Sequence, residues 1–533
     1  MQRALLRLLR MLPASLLLLS VGFSHGTVAA LRPGPSGELP GPGPGPEARL
    51  ALEMINRYRA AAGLPPVTYD PALGAAAQAH AEYLAANPDQ WEPSAHGETP
   101  GSPGFTGLRP VDRAAANGYR GGVGEIIHFA GPAEAAVDGW LQTLYHRLPL
   151  LSPNTVALGY GVAASADGRY VNVLDYGVVP LSGGRDGGTA PSSPGPSSAT
   201  AAPGSVAWPH PGQTGVPTHW DGREVPDPFL LHPGVTGPVG YPITLTFPGP
   251  VRSLRLTEAS LHGPDGAVSV LRFDPVSDDR LTDTVALIPA EPLRPRSRYT
   301  VRMQGLVDRG GGPQPFSRSW SFSTGTDSHA PRVRSLTTWM DGIRLEGQGF
   351  GSGMAVYAGG LPVQGLQVAD DGSATFRLPD RCPGDGTELL VVSPGGSETA
   401  VPLAAGCNLR KGADSPYRTV PLQIAGRSLD VPALLAPNGA VLVPEDALAA
   451  LGAQPEPAGQ PASMPGRTYW RLGDRFGAYT PGRVTAWVAG ERVRLSLPVQ
   501  PYDGVVYVDK AFVQRLAGVE IRLVNGVAHV GGH

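Results

Sequence analysis

Proline and glycine punctuate this chain so densely that short strands, many turns and unstructured linkers are what it can chiefly form: 72 Gly and 58 Pro approach a quarter of its 533 residues. The punctuation is uneven. Leu31 to Pro46 is a Pro/Gly spacer with nothing to bury, and Pro180 to about Pro203 is a Ser/Gly/Pro/Ala stretch without periodicity, read as an exposed flexible linker. At roughly 150 residues per domain the chain has room for three or four units, each with its own core. Its net charge of −3 and pI near 6.5 give no sign of a nucleic-acid or anionic-membrane partner.

The first thirty residues carry an export pattern. Arg3, Arg7 and Arg10 form a basic segment, Met11 to Gly22 an apolar one, and Val28-Ala29-Ala30 offers small residues for cleavage after Ala30. An apolar run this short falls well below the ~20 residues that span a bilayer. The expectation is a cleaved signal peptide at 1–30, no transmembrane anchor after cleavage, and a secreted or cell-surface location. In that oxidising setting Cys382 and Cys407 are expected to form a local disulfide, the alternative being two buried free thiols.

Behind the 31–46 spacer the first folded unit spans 47–180. Ala51, Met54, Ile55, Tyr58 and Ala62 recur at helical spacing, and Gly63, Pro65 and Pro66 end that helix. Asp70-Pro71 is an N-cap with proline at the first helical position, predicting a second helix to about Asn87. Further helices are predicted from Pro110 to Asn117 and from Pro132, the latter with Val137, Trp140, Leu141 and Leu144 on one face. Strands are predicted over 158–164 and 170–178, joined by an Asp167-Gly168 turn.

After the 181–204 linker the pattern changes to alternation. Val239, Tyr241, Ile243, Leu245 and Phe247 alternate, as do Tyr299, Val301 and Met303, predicting an antiparallel β-sandwich over 205–326. A second small sandwich is expected at 330–408. The last unit, 415–531, repeats a turn, strand and short helix: Asn438 to Val443 with Leu448 and Leu451, then Asp503 to Val508 with Val513 and Leu516.

Ionisable residues fall in a suggestive order only in the first unit. His96 and Glu98 lie in a Gly/Pro/Ser-rich loop, Glu125 follows Gly124 before an apolar run, and His146-Arg147 closes the fourth helix. Two imidazoles and one or two carboxylates can bind a divalent ion such as zinc, if they converge. Taken singly, His146 can cap a helix C-terminus, Glu125 can be a satisfied buried carboxylate, and His96 can be an exposed loop residue. His80, beside Ala76 and Ala77, reads as packing or surface, and His128 reads the same way. The sequence holds no His-Glu-x-x-His, P-loop or Gly-x-Ser-x-Gly motif.

The order Ile55-Asn56-Arg57-Tyr58-Arg59, Gly63-Leu64-Pro65-Pro66, Ala76 to His80, His96, Gly124-Glu125, Trp140 and His146-Arg147 resembles the CAP superfamily of cysteine-rich secretory, antigen 5 and pathogenesis-related 1 proteins. The resemblance covers 47–180 and implies an α-β-α sandwich with a shallow cleft. Carried over, His96, Glu125 and His146 match three cleft positions. Glu98 is the nearest carboxylate for the fourth, which relatives usually place slightly further along, and Gly124-Glu125-Ile126 departs from the commoner Gly-Glu-Asn. Metal, lipid, glycan and protein are all implied ligands. Residues 205–326 resemble a bacterial Ig-like domain, 330–408 an IPT/TIG-type domain, and 415–531 a copper amine oxidase N-terminal-like module. The tail's His529 and His533 do not make an oxidase copper site, and no copper is expected. The expectation is a binding protein on a β-rich stalk. The rival is a metal-dependent peptidase or esterase with Glu125 as general base beside zinc held by His96 and His146.

Overall fold

Asp70 does what its position predicts: its carboxylate accepts from the N–H groups of Ala72 and Leu73 at 2.8 and 3.0 Å, opening a sixteen-residue helix. The computed structural model describes residues 43–531 apart from 92–93, 130, 179–203, 236, 327–330, 340–341, 370–371, 380–387, 404–415 and 457–462. The leader, nearly all of both linkers, Cys382, Cys407 and His533 therefore lie outside the described residues.

The front unit contains α1 (Pro46–Ala61), β1 (Thr68–Tyr69), α2 (Pro71–Ala86), α3 (Pro110–Ala116), β2 (Gly122–His128), α4 (Ala133–Gln142), α5 (Arg147–Leu151), β3 (Thr155–Ala164) and β4 (Tyr170–Val178). The four strands form one sheet in the order β1-β3-β4-β2, antiparallel except for β1 beside β3. Alternation along the strands divides two cores. Leu158, Tyr160, Val162, Leu174 and Ile126 pack with α1 and α4, whereas Val171, Val173 and Ile127 pack with Ala77, Ala81 and Leu84 of α2. Helices thus cover both faces.

The approach of α2 to the sheet is set by missing side chains. A Cβ on Gly159 would fall 2.0 Å from the Leu73 carbonyl carbon, and one on Gly161 2.4 Å from the Gln78 Cα. The helix backbone therefore rests directly on β3. On the other face Trp140 is buried and donates from Nε1 to the Ile127 carbonyl at 3.2 Å.

The rest of the chain is β-rich. Residues 206–323 form two four-stranded sheets, 332–402 two more, and 418–531 three. In the last unit the repeat pairs with itself: strand Val441–Pro444, leading to α6 (Asp446–Ala450), runs antiparallel to strand Val505–Asp509, leading to α7 (Lys510–Ala517), with Val443 opposite Val508.

A flexible linker at 181–204 predicts a front unit that moves independently. The described residues instead share buried contacts across the units. Tyr58 meets Trp208 edge-on with ring centroids 5.8 Å apart, and the Tyr241 hydroxyl donates to the Leu141 carbonyl at 2.8 Å. Arg147, fully buried, lies over the Tyr241 ring at 4.6 Å. From the last unit, Tyr469 donates to Glu47 at 2.7 Å, and Arg467 donates to Glu134 at 2.8 Å. Gly490 approaches α1 so closely that a Cβ there would sit 2.7 Å from the Glu53 carbonyl carbon. One apolar core runs through these contacts, from Leu50 and Met54 through Trp208 and Tyr241 to Tyr469 and Trp487.

Candidate functional site

Six ionisable side chains meet between α2, α3, the 94–108 loop and the α2 face of the sheet. His80 lies on the buried stripe of α2 with Leu73, Ala77 and Leu84. Glu98 comes from the loop, Arg113 from the last turn of α3, and Glu125 from β2. Asp175 stands opposite Glu125 on β4. His80, Glu98, Arg113 and Glu125 have side chains at most 1 % exposed, and Asp175 is fully buried. His96, at 44 % side-chain exposure, is the member of the group that reaches solvent.

The hydrogen bonds fix the charges. His80 Nε2 lies 2.8 Å from the Ala95 carbonyl, an acceptor only, so that nitrogen carries hydrogen. Its Nδ1 lies 2.9 Å from Glu98 Oε1. Burial works against the Glu98 charge, but the His80 bond, the N–H groups of Thr106 and Gly107 and the Thr106 hydroxyl outweigh it, holding the carboxyl below its usual range. Both ring nitrogens of His80 thus face oxygen partners, the Glu98 carboxylate and the Ala95 carbonyl.

Glu125 follows the same logic. Burial opposes its charge, yet the hydrogen bond from His96 and the charges of His80 and Arg113 hold its carboxyl below the usual range. Arg113 donates to Oε2 at 2.7 Å and His96 Nδ1 to Oε1 at 2.8 Å. Arg113 also donates to the His96 carbonyl at 3.2 Å, so one guanidinium steadies both the carboxylate and the loop that carries the imidazole. His80 and Arg113 thus face the two carboxylates, Glu98 and Glu125. The third carboxyl, Asp175, is pushed well above its usual range by burial and then by the Glu125 charge.

Glu125 engages His96 through Nδ1, so Nε2 is the ring nitrogen left to meet a ligand.

The structure therefore brings His96 and Glu125 together and seats Glu98 beside them through His80. It gives His146 another partner: His146 Nδ1 lies 2.7 Å from Glu224, a residue of the following β unit. Glu224 also accepts from the N–H groups of Leu144, Tyr145 and His146 at 2.8 to 2.9 Å. Of the three residues expected to share a cleft, His96, Glu125 and His146, the last has its ring held by a carboxylate 78 residues downstream, which also caps the segment. The zinc set assembled from those three does not fit this arrangement. Glu125 has both oxygens engaged, and among the described residues no group of three His, Cys, Asp or Glu is placed to hold a metal. His80, Arg113 and Asp175 were missed in the sequence. The available signals were an imidazole on the buried stripe of α2 and a lone carboxyl within the apolar run of β4.

An α-β-α layer with a buried carboxylate behind an exposed imidazole defines a recognisable class. The family model of the cysteine-rich secretory protein family matches residues 52–178, so the chain carries a CAP domain in front of its β-rich units. No curated protein matches the chain. Among solved structures, an outer surface protein from Borrelia burgdorferi is similar at 19 % identity, over 25 % of this chain and 92 % of that one, with a TM-score of 0.21. Among the described residues no helix is long and apolar enough to cross a membrane.

Proposed function

We propose that this is a secreted or cell-surface binding protein whose CAP domain recognises an extracellular ligand at His96. One observation carries the reading: His96 is the solvent-reaching end of a charge network that is otherwise sealed, and Glu125 holds its ring through Nδ1. A fixed imidazole on a buried support is suited to selecting ligands that hydrogen-bond to it. The export pattern of residues 1–30 supports the location. The rear units are read as an Ig-like domain, an IPT/TIG-like domain and a copper amine oxidase N-terminal-like module that stiffen and space the front domain at the envelope.

The same Nε2 geometry favours a second reading, in which His96 acts as general base in peptide or ester hydrolysis. Binding of the full chain to arrayed lipids, glycans and peptides, compared with His96→Ala, separates the two. Signals lost in the variant support recognition. Hydrolysis of p-nitrophenyl butyrate or casein by the wild type, abolished in His96→Ala, would replace the binding reading with the enzymatic one.

A further inference from the structure

A second site lies away from the CAP cleft. A cavity of about 560 Å³ opens where three units meet: the α4 end of the CAP domain, the strand Glu398–Pro402, and the sheet of the last unit around Trp487. Its size falls within the roughly 300–1,000 Å³ of small-molecule sites, and junctions between domains are where such sites concentrate.

The charged lining is balanced in sign. Glu134, Asp138 and Glu398 contribute three carboxyl groups, and Arg467, Arg483 and Arg492 contribute three guanidinium groups. Much of this charge is already paired: Arg467 donates to Glu134 at 2.8 Å, Tyr58 to Asp138 at 2.7 Å, and Thr485 to Glu398. A charged ligand therefore finds no unpaired group of opposite sign from those residues, and an alkyl chain strips water without replacing its hydrogen bonds. A neutral ligand dense in hydroxyls avoids both costs, since each hydroxyl donates and accepts, and a guanidinium such as that of Arg483 presents parallel N–H donors that suit adjacent hydroxyls on a ring. Thr480 and Thr485 add hydroxyls to the lining, and Tyr170 and Trp487 add aromatic surface against which the C–H face of a sugar ring can pack.

We propose that this junction binds a short neutral saccharide of about disaccharide size. Because the ligand touches three units at once, its binding also clamps their arrangement.

The test is calorimetric titration of the full chain with the best-binding neutral saccharide from an array of di- to tetrasaccharides, beside Ala400→Trp, Arg483→Ala and His96→Ala. Ala400 lines the cavity from the edge strand, so tryptophan there fills it. The expected result is saturable 1:1 binding with a rise in melting temperature, weakened at least tenfold by Ala400→Trp and by Arg483→Ala and unchanged by His96→Ala. Should Ala400→Trp fail to fold, Arg483→Ala decides. No saturable saccharide binding by the wild type overturns the proposal, as does binding indifferent to the folded cavity variants. Displacement of the saccharide by His96→Ala alone would place it in the CAP cleft. Preference for a zwitterionic dipeptide, blocked by Ala400→Trp, would overturn the ligand class.

Discussion

Glu125 and Asp175 stand opposite each other on β2 and β4, both sealed from solvent, and their carboxyls are driven apart: Glu125 is held below the usual range and Asp175 well above it. The asymmetry follows from their partners. Glu125 receives Arg113 and His96, while the Asp175 oxygens meet no donor among the described groups.

Asp175→Asn should therefore remove a cost. A carboxyl raised in the folded state binds more protons there than in the unfolded chain, so wild-type stability falls as pH rises above the ordinary aspartate range. Each pH unit of that window is worth at most about 1.4 kcal/mol. Asn has nearly the same shape and does not titrate. Denaturant unfolding should show the two proteins similar near pH 4 and the variant more stable at pH 7, with a protonated-carboxyl infrared band lost. Strong destabilisation of the variant at pH 7 would mean that Asp175 is ionised and paired.

Glu224→Ala should undock the CAP domain from the β unit behind it. The substitution strips three backbone N–H groups and the His146 ring of their acceptor. Unsatisfied buried donors cost about 1–3 kcal/mol each, and water entry moderates the sum, so a loss of about 3 kcal/mol is expected. Hydrogen exchange should show protection at the amides of Leu144, Tyr145 and His146 falling before that of β4. Unaltered protection would mean that the contact does not persist in solution.

The front and last units should hold together better in mild acid than in mild base. Burial pushes the Glu53 carboxyl up to about 7, against the Arg49 charge and an N–H bond from Gly490 of the last unit. Burial likewise pushes Asp138 up to about 6, although Tyr58 donates to it. Both groups bind extra protons when folded, so stability is full below the ordinary carboxylate range and is lost as pH rises through 6 and 7. After allowance for partial exposure, each group is worth on the order of 2 kcal/mol. The melting temperature should drop by several degrees between pH 5 and pH 8, and Glu53→Gln with Asp138→Asn should flatten the curve. A double variant as pH-sensitive as wild type would place the titration elsewhere.

Local features were legible in the sequence wherever they depend on neighbours along the chain. The Asp70-Pro71 cap and the stripe from Ala51 to Ile55 announce α2 and α1, and the four predicted helices and two predicted strands of the front unit lie close to their expected bounds, whereas β1, β2 and α5 were not foreseen. The same stripe logic places His80 on the buried face of α2, but its ring looks like filler until Glu98 and the Ala95 carbonyl are in place, and both come from a loop with no periodicity. His146 shows the opposite failure. Its position beside Arg147 and the family pattern point to the CAP cleft, whereas its partner Glu224 lies across the linker, where no spacing rule reaches. Arg147, a polar residue by composition, is core because the Tyr241 ring covers it.

The continuous core has a consequence for inheritance. The stretch that relatives share runs from 52 to 178, but Glu47 lies before it, and Trp208, Glu224, Arg467 and Tyr469 lie beyond it. What descends as a module is therefore smaller than what folds. Moved into another protein, residues 52–178 would arrive with an uncapped Leu144–His146 segment and a half-built α1 face, so this front domain is complete only with the rear units behind it.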